Sequence, residues 1–453
     1  MRFDYFAGAA TVAIVFASSL ALADGHTKIK VGEGDFSWDS YTAFADETDL
    51  SGQTVTITGP WTGNEKEQVE KVFALFTEAT GAEVNYSGSD SFEQDIVISA
   101  RAGSAPNLAV FPQPGLAADM ASQGLLTPLT DGTADWVSEN FAAGDSWVDL
   151  GTYADADGKD ELYGLFYRVD LKSLVWYSPE TFDEAGYDIP ESMEELKALT
   201  DQIVEDGGTP WCIGLGSGAA TGWPATDWVE DMMLRTQAPE VYDAWVANEL
   251  PFNDPKVVAA IEEFGHFALN DDYVDGGTAA VASTDFRDSP AGLFAIPPKC
   301  YMHRQASFIP AFFPEGTEMG EDVDFFYFPA YAEKDLGSPV LGAGTLFAIT
   351  DPSEAATAVI EFLKLPVAHE AWMSLGGFLT AHAGVNLDTY ADDSLRAQGK
   401  ILQNATTFRF DASDLMPAEI GAGEFWTSMV DYTTGTPAAD AAAKIQERWD
   451  TLK

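Results

Sequence analysis

The side chains best suited to chemistry in this chain stand just past its most regular apolar segments. Trp61, Asn64 and Glu65 follow the alternating run 54–57 and the turn Gly59-Pro60. Ser89 to Ser91 follow the run 83–86, and Gln113 follows the run 107–111. Amides, carboxylates and hydroxyls in such places exchange hydrogen bonds with a polar ligand, and an indole offers it a flat apolar face. That is the chemistry of binding. A nucleophile elbow of the G-x-S-x-G type is missing, and the glycine-rich stretch 214–222 (GLGSGAATG) departs from the phosphate-cradling fingerprints. Two cysteines and five histidines give no close metal-ligand spacing such as C-x-x-C or H-x-x-x-H. With 73 acidic residues a carboxylate pair exists at some spacing in any case, so that count lends nothing to a secreted glycoside hydrolase, the competing enzyme class.

The elements that must position these groups alternate in type. Residues 54–57 read as a strand, and Asn64 to Thr80 as a helix with Val69, Val72, Phe73 and Phe76 on one face, stopped by Gly81. A strand at 83–86, a helix at 92–102 and a strand at 107–111 complete a β-α-β-α-β order. That order implies a mostly parallel sheet with helices on both faces, and ligands bind such sheets in the crevice beyond the carboxyl ends of the strands. The stretch 163–177 is apolar and β-rich with Arg168, Asp170 and Lys172 in between, and reads as a long strand passing from one lobe to another. A second helical and strand set spans 182–328, and 340–349 (VLGAGTLFAI) reads as a second crossing.

Length and composition agree with two lobes. The chain has 453 residues, too many for one ordinary core, with 46% hydrophobic and 21% charged residues. Against 23 basic residues the 73 acidic ones leave a formal charge of −50. That surface repels phosphate backbones and anionic lipid, which sets nucleic acid and membrane surfaces aside as partners. Arg2, the apolar stretch 7–22 and the small-residue site Ala21-Leu22-Ala23 form an export signal over residues 1–23, with Asp4 an atypical member of its head. A periplasmic mature chain is expected. In an oxidising compartment a lone cysteine pair is bridged more readily than catalytic, so Cys212 and Cys300 are expected as a disulfide. Residues 24–50 are polar and acidic without a clear period, and read as an extension on the first lobe's surface.

Four segments stand in a telling order: 59–86 with WTGNE and FTEATGAEVNY, APNLAVFPQPGLAADMASQGLLTPL at 105–129, LYGLFYRVDLKSLVWYSPETFDEAGY at 162–187, and SDLMPAEIGAGEFWTSMVDYTTG at 413–435. Together they resemble the extracellular solute-binding proteins of ABC sugar importers, of the maltose-binding-protein type. The RVDLKSLVWYS wording and the long extension resemble the α-glucoside-binding branch. The resemblance implies an α/β, two-lobed periplasmic-binding-protein fold (type II). Each lobe would be a mostly parallel sheet flanked by helices, and hinge crossings would let the lobes close over a ligand. On it, residues 51–168 and 343–372 form the first lobe, and residues 169–342 and 373–453 the second. It also implies a small neutral oligosaccharide such as trehalose, maltose or sucrose as ligand, ABC permease subunits as partners and no cofactor, and a monomer suits that delivery role.

Carried over position by position, the resemblance points to Trp61, Asn64, Glu65 and Gln113 in the first lobe. Trp223 in TGWPATDW and Trp426 in EFWTSM match places where the family packs rings in its cleft. Tyr301 falls near an aromatic position that is usually Trp, and Val430 stands where maltose-binding members carry arginine. Ser91, Arg168, Asp170 and Gly344 complete the candidate set. Each has a plainer reading beside it. The aromatic residues could fill a lobe core, and Asn64 could cap its helix with Glu67 as reciprocal partner. Glu65 could be favourable charge in a first turn. Arg168 and Asp170 could pair with each other, and Gly344 could bend the crossing strand. A polyol or a polyamine competes as ligand, whereas glycerol phosphate would want a cluster of Arg or Lys that the chain does not show.

Overall fold

Short apolar runs bounded by glycine, proline and polar turns become eleven strands in the computed structural model, which describes residues 29–142, 144–404 and 406–452. They are β1 (Thr54–Gly59), β2 (Glu83–Gly88), β3 (Leu108–Phe111), β4 (Thr152–Ala154), β5 (Asp160–Leu162), β6 (Gly164–Leu171), β7 (Leu174–Tyr177), β8 (Met302–Arg304), β9 (Asp324–Tyr327), β10 (Pro339–Ile349) and β11 (Thr407–Phe410). The expected signal peptide, residues 1–23, lies outside the described residues.

Parallel pairs join β1 to β2, β1 to β3 and β10 to β11, while β10 runs antiparallel to β3 and β6. The resulting order is β11-β10-β3-β1-β2, with β6 alongside β10. Between β1 and β2 the helix Gly63–Thr80 buries Val69, Val72, Phe73 and Phe76, the face that its spacing assigns. Gly81 ends that helix in the left-handed region (φ 74°), donating its N–H to the Thr77 carbonyl. Thr62, not Asn64, holds the N-cap position, which removes the capping reading of Asn64. Both β3 and β10 are buried along their whole length because each has elements on both faces, and so they read as continuous apolar runs.

The stretch 163–177, expected as one strand, breaks at Lys172-Ser173. β6 stays in the large sheet and β7 enters a second one, ordered β8-β7-β9. The two side chains at the break turn instead to carboxylates of the helix Trp223–Thr236: Lys172 Nζ donates to Asp227 at 2.8 Å and Ser173 Oγ to Asp231 at 2.8 Å. In the second sheet the three strands pair antiparallel, since β8 and β9 both return beside β7. Parallel pairing there is found among the described residues as single bridges at Trp211, Gly216 and Met319.

Two cores result. One packs Trp61, Phe76, Phe111, Phe347 and Trp372 around the large sheet, and continues past residue 372 through Phe378, Leu379 and Leu395 to Phe410. The other packs Trp211, Trp228, Trp245 and Phe264 around the helices Trp223–Thr236 and Pro255–Ala268. The extension is more regular than its sequence suggests. It holds the helix Trp38–Glu47, in which only Tyr41 is buried, with Oη donated to the Leu75 carbonyl at 3.0 Å. One buried residue leaves no apolar period to read.

Cys212 and Cys300 are bonded, 88 residues apart in sequence. Cross-linking so long a loop restricts the unfolded chain. The double substitution Cys212→Ser, Cys300→Ser should therefore lower stability by about 2–5 kcal/mol in urea unfolding. An unchanged midpoint would show that the fold holds this loop without help.

Candidate ligand-binding site

β6 brings charge into the interior. Alternation along a strand sets Arg168 and Asp170 on one side, and all eight residues of β6 are buried. Charge withdrawn from water needs a partner. Arg168 Nη1 donates to Glu65 Oε1 at 2.6 Å, and Nε lies 3.1 Å from Asp170 Oδ1, near enough to pair but off the angle of a hydrogen bond. The guanidinium also lies 5.3 Å from the Trp61 ring and 5.4 Å from Phe308. Arg168 and Asp170 thus pair with each other and also face the same cleft.

That cleft lies between strand ends of the large sheet and the start of the helix Trp223–Thr236, whose later turns enter the second core. Trp61, Glu65, Ser89, Asp90, Glu93 and Gln113 approach from the ends of β1, β2 and β3. Arg168, Asp170, Lys172, Gly344 and Thr345 form its floor. Trp223, Asp227, Phe286, Arg287, Phe308, Asp411, Ser413, Asp414 and Trp426 stand on the far side. About 810 Å³ of empty space lies between them, part of it open to solvent. Gly344 is required by packing: an added Cβ would stand 2.9 Å from the Arg168 carbonyl and 3.0 Å from the Phe166 ring. Across the mouth, Arg287 Nη2 donates to Asp90 Oδ1 at 2.7 Å and to Thr62 Oγ1 at 3.3 Å, tying the far wall to the near one.

The far wall rests on the helix Trp223–Thr236. Trp223 opens it and sets its ring 4.9 Å from Phe286. One turn on, Asp227 receives Lys172 Nζ, which also binds Asp411 and stands 5.5 Å from the Trp223 ring. Asp227, Glu230 and Asp411 offer oxygens within 4.8 Å of one another, a set that could hold a cation. The Lys172 ammonium already supplies one to Asp227 and Asp411. Burial dominates the acid–base state of this group. It lifts Asp227 to about 7 against the pull of Lys172, and lifts Glu230 and Asp414 well above the carboxylate range, with the charge of Asp411 adding to it. Burial acts on Asp411 too, but the Lys172 charge and hydrogen bond outweigh it and hold Asp411 at about 2.

Several lining groups are buried yet lack a hydrogen-bond partner: Trp61 Nε1, Gln113 Oε1, Thr345 Oγ1 and Trp426 Nε1. Each such group costs about 1–3 kcal/mol when left unmatched. Their convergence on one cleft suits a ligand that brings its own donors and acceptors.

Of the residues expected from sequence, Trp61, Glu65, Gln113, Arg168, Asp170, Trp223, Gly344 and Trp426 line this cleft. Three others stand elsewhere. Asn64 is next to Glu65 on a helix and so points about 100° away; its Nδ2 donates to the Ala311 carbonyl at 2.8 Å. Ser91 takes the N-cap position of the helix Phe92–Arg101, half-buried, leaving Ser89 and Asp90 to the cleft. Tyr301 packs edge-on against Tyr187 at 5.5 Å, beside the second core, and Phe308 supplies a cleft ring in its stead. Sequence reasoning missed Asp227, Phe286, Arg287, Phe308, Asp411 and Asp414. A helical repeat from Trp223 finds Asp227 at i+4, while no local pattern marks the others.

Comparison with known proteins agrees with this geometry. Residues 62–371 match the family described as bacterial extracellular solute-binding protein. The chain is 61% identical over 428 residues to the alpha-glucosides-binding periplasmic protein AglE of Rhizobium meliloti, covering 94% of this chain and 93% of that one. It is 43% identical over 402 residues to the osmoprotective compounds-binding protein GgtB of Synechocystis, covering 88% and 93%. Among solved structures, the bacterial solute receptor AcbH superimposes with a TM-score of 0.75 at 20% identity, over 89% of this chain and 100% of that one. Maltose-bound MalE3 of T. maritima gives 0.69 at 16% identity, over 89% and 100%. At such identities these two likenesses establish the fold alone, a two-lobed α/β architecture.

The raised Glu230 has a measurable consequence. A carboxyl whose pKa rises on folding gains a proton, so its contribution is complete at low pH and is lost as pH climbs toward the raised value. Glu230→Gln stays neutral throughout. The melting temperature of that variant relative to the parent should therefore rise as pH climbs above the ordinary carboxylate range. A constant difference would mean that Glu230 ionises in the fold as it does in the unfolded chain.

Proposed function

The chain belongs to the bacterial extracellular solute-binding proteins, and from that premise we propose that it captures an α-glucoside of disaccharide size and delivers it to the permease of an ABC importer. It is a binding protein and not an enzyme. One observation carries the ligand class: unmatched buried donors and acceptors are set among aromatic rings in a single cleft. A pyranose has an apolar face for a ring such as Trp223 or Trp426, and a belt of hydroxyls for Gln113, Asp170 and Thr345. Bonds to the charged partners among them are the stronger ones, about 1.5–3 kcal/mol each. The identity shared with the α-glucoside-binding relative supports the same class.

A sugar that touches both walls binds the closed arrangement better than an open one, and this difference in affinity drives closure. Contacts such as Arg287 to Asp90 accompany it. The permease then receives the closed form. Removal of residues 1–23 on export would leave the working protein in the periplasm. A polyamine is the second reading, because Glu65, Asp90, Glu93, Asp170, Asp227, Asp411 and Asp414 face only Arg168, Lys172 and Arg287 as cations in the cleft wall.

A thermal-shift panel separates these readings. Trehalose, maltose or sucrose at about a hundredfold excess over Kd should stabilise the protein by about 2.7 kcal/mol, with polyamines, polyols and glycerol phosphate inert. A shift with polyamine alone would overturn the sugar assignment and leave the transport role. Trp223→Ala and Trp426→Ala should each weaken sugar binding by roughly 10- to 100-fold in calorimetric titration, with the unliganded fold intact by circular dichroism. Unchanged affinity in both would remove the rings from the site.

A further inference from the structure

We propose that a second pocket, flanking the Gly63–Thr80 helix beside the cleft, binds a neutral, hydroxyl-bearing molecule of sugar-ring size. Its wall includes Pro310, Phe313, Met319, Leu375 and Leu395, around about 790 Å³ of empty space that is partly open to solvent. Gln398 also lines it, from the helix Asp393–Asn404. That residue stands one turn beyond buried Leu395 and is itself 0% exposed, the place where a helix ordinarily puts another apolar side chain. Both polar atoms of its amide, Oε1 and Nε2, are buried without a hydrogen-bond partner.

An occupant that matches Gln398 must donate and accept at one place. A hydroxyl does both, whereas a carboxylate cannot donate and an ammonium cannot accept. Glu315 and Asp392, which also line the pocket, disfavour an anion. Phe313 and Pro310 offer apolar surface to a carbon skeleton. The other amides here are engaged already. Gln68 donates to the Leu375 carbonyl at 3.0 Å and accepts from Trp372 Nε1 at 3.3 Å, and Asn64 donates to Ala311. Gln398 is therefore the group that selects the ligand. Because Phe308 lines the cleft while Pro310 and Phe313 line this pocket, one short segment forms a wall of both.

Saturation-transfer difference NMR on the full chain tests the site, with glucose and glycerol as separate probes. The measurement is made in a Trp223→Ala background, to weaken the cleft, and repeated with Gln398→Leu added. Transfer to at least one probe should persist with Trp223→Ala alone and fall at least several-fold when Gln398→Leu is added. The added Gln398→Leu should not lower the melting temperature, since it removes an unmatched buried amide. Transfer unchanged by adding Gln398→Leu, or absent from Trp223→Ala for both probes, would overturn the proposal. Should Gln398→Leu fail to fold, Gln398→Met, closer in shape, takes its place under the same criteria. A cleft weakened by Trp223→Ala transfers equally in both variants, so the change on adding Gln398→Leu reads this pocket alone, and the α-glucoside reading can fail without deciding this one.

Discussion

A charge withdrawn from water has to meet a counter-charge, and the middle of this molecule is arranged by that requirement. β6 carries Arg168 and Asp170 inward, and Lys172 follows at its end. Their partners come from far along the chain. Glu65 is 103 residues from Arg168, while Asp227 and Asp411 are 55 and 239 residues from Lys172. Behind them Asp231 takes Arg235 and Arg304, so the helix Trp223–Thr236 is anchored by several ion pairs at once. Buried pairs of this kind add little net stability, yet removing one partner costs about 3–5 kcal/mol. Their effect here is on arrangement. Segments distant in sequence are brought to one floor, and the cleft lies above it.

Two kinds of polar group meet in that cleft. Lys172 and Asp411 are matched within the protein and hold the walls in place. Trp61 Nε1, Thr345 Oγ1 and Trp426 Nε1 are left unmatched, which costs stability and leaves hydrogen-bonding capacity for a ligand. Local disagreement with good packing at a functional site, amid consistent packing elsewhere, is the pattern expected of a selected binding surface.

Much of the large sheet was legible because its first half is built from neighbours. The strands and helices from Thr54 to Phe111 follow one another, with periodicity and glycine stops marking each, as at Gly81. Glu65 and Gln113 were found for the same reason: they stand just past strand ends. Asn64 was assigned with Glu65 because sequence proximity does not say which flank of a helix faces a cleft. Tyr301 went astray because an aromatic residue beside a bridged cysteine fits a core as well as a cleft, and Tyr187 takes it. The acidic members Asp227, Asp411 and Asp414 could not be picked from so many carboxylates until their distance to Lys172 was known. The break at Lys172-Ser173 was hidden likewise, since its cause is a pair of carboxylates on a later helix.

The placement of β10 has a consequence for the timing of synthesis. In the large sheet β10 lies between β3 and β11, and β6 also leans on it. β3 is complete at Phe111, whereas β10 begins only at Pro339. A ribosome making roughly 5–20 residues each second leaves β3 with one side unpaired for on the order of ten seconds or more. The sheet cannot finish until most of the polypeptide exists. Such a delay keeps the nascent chain loose through most of its synthesis, which suits a family whose members act outside the cell membrane.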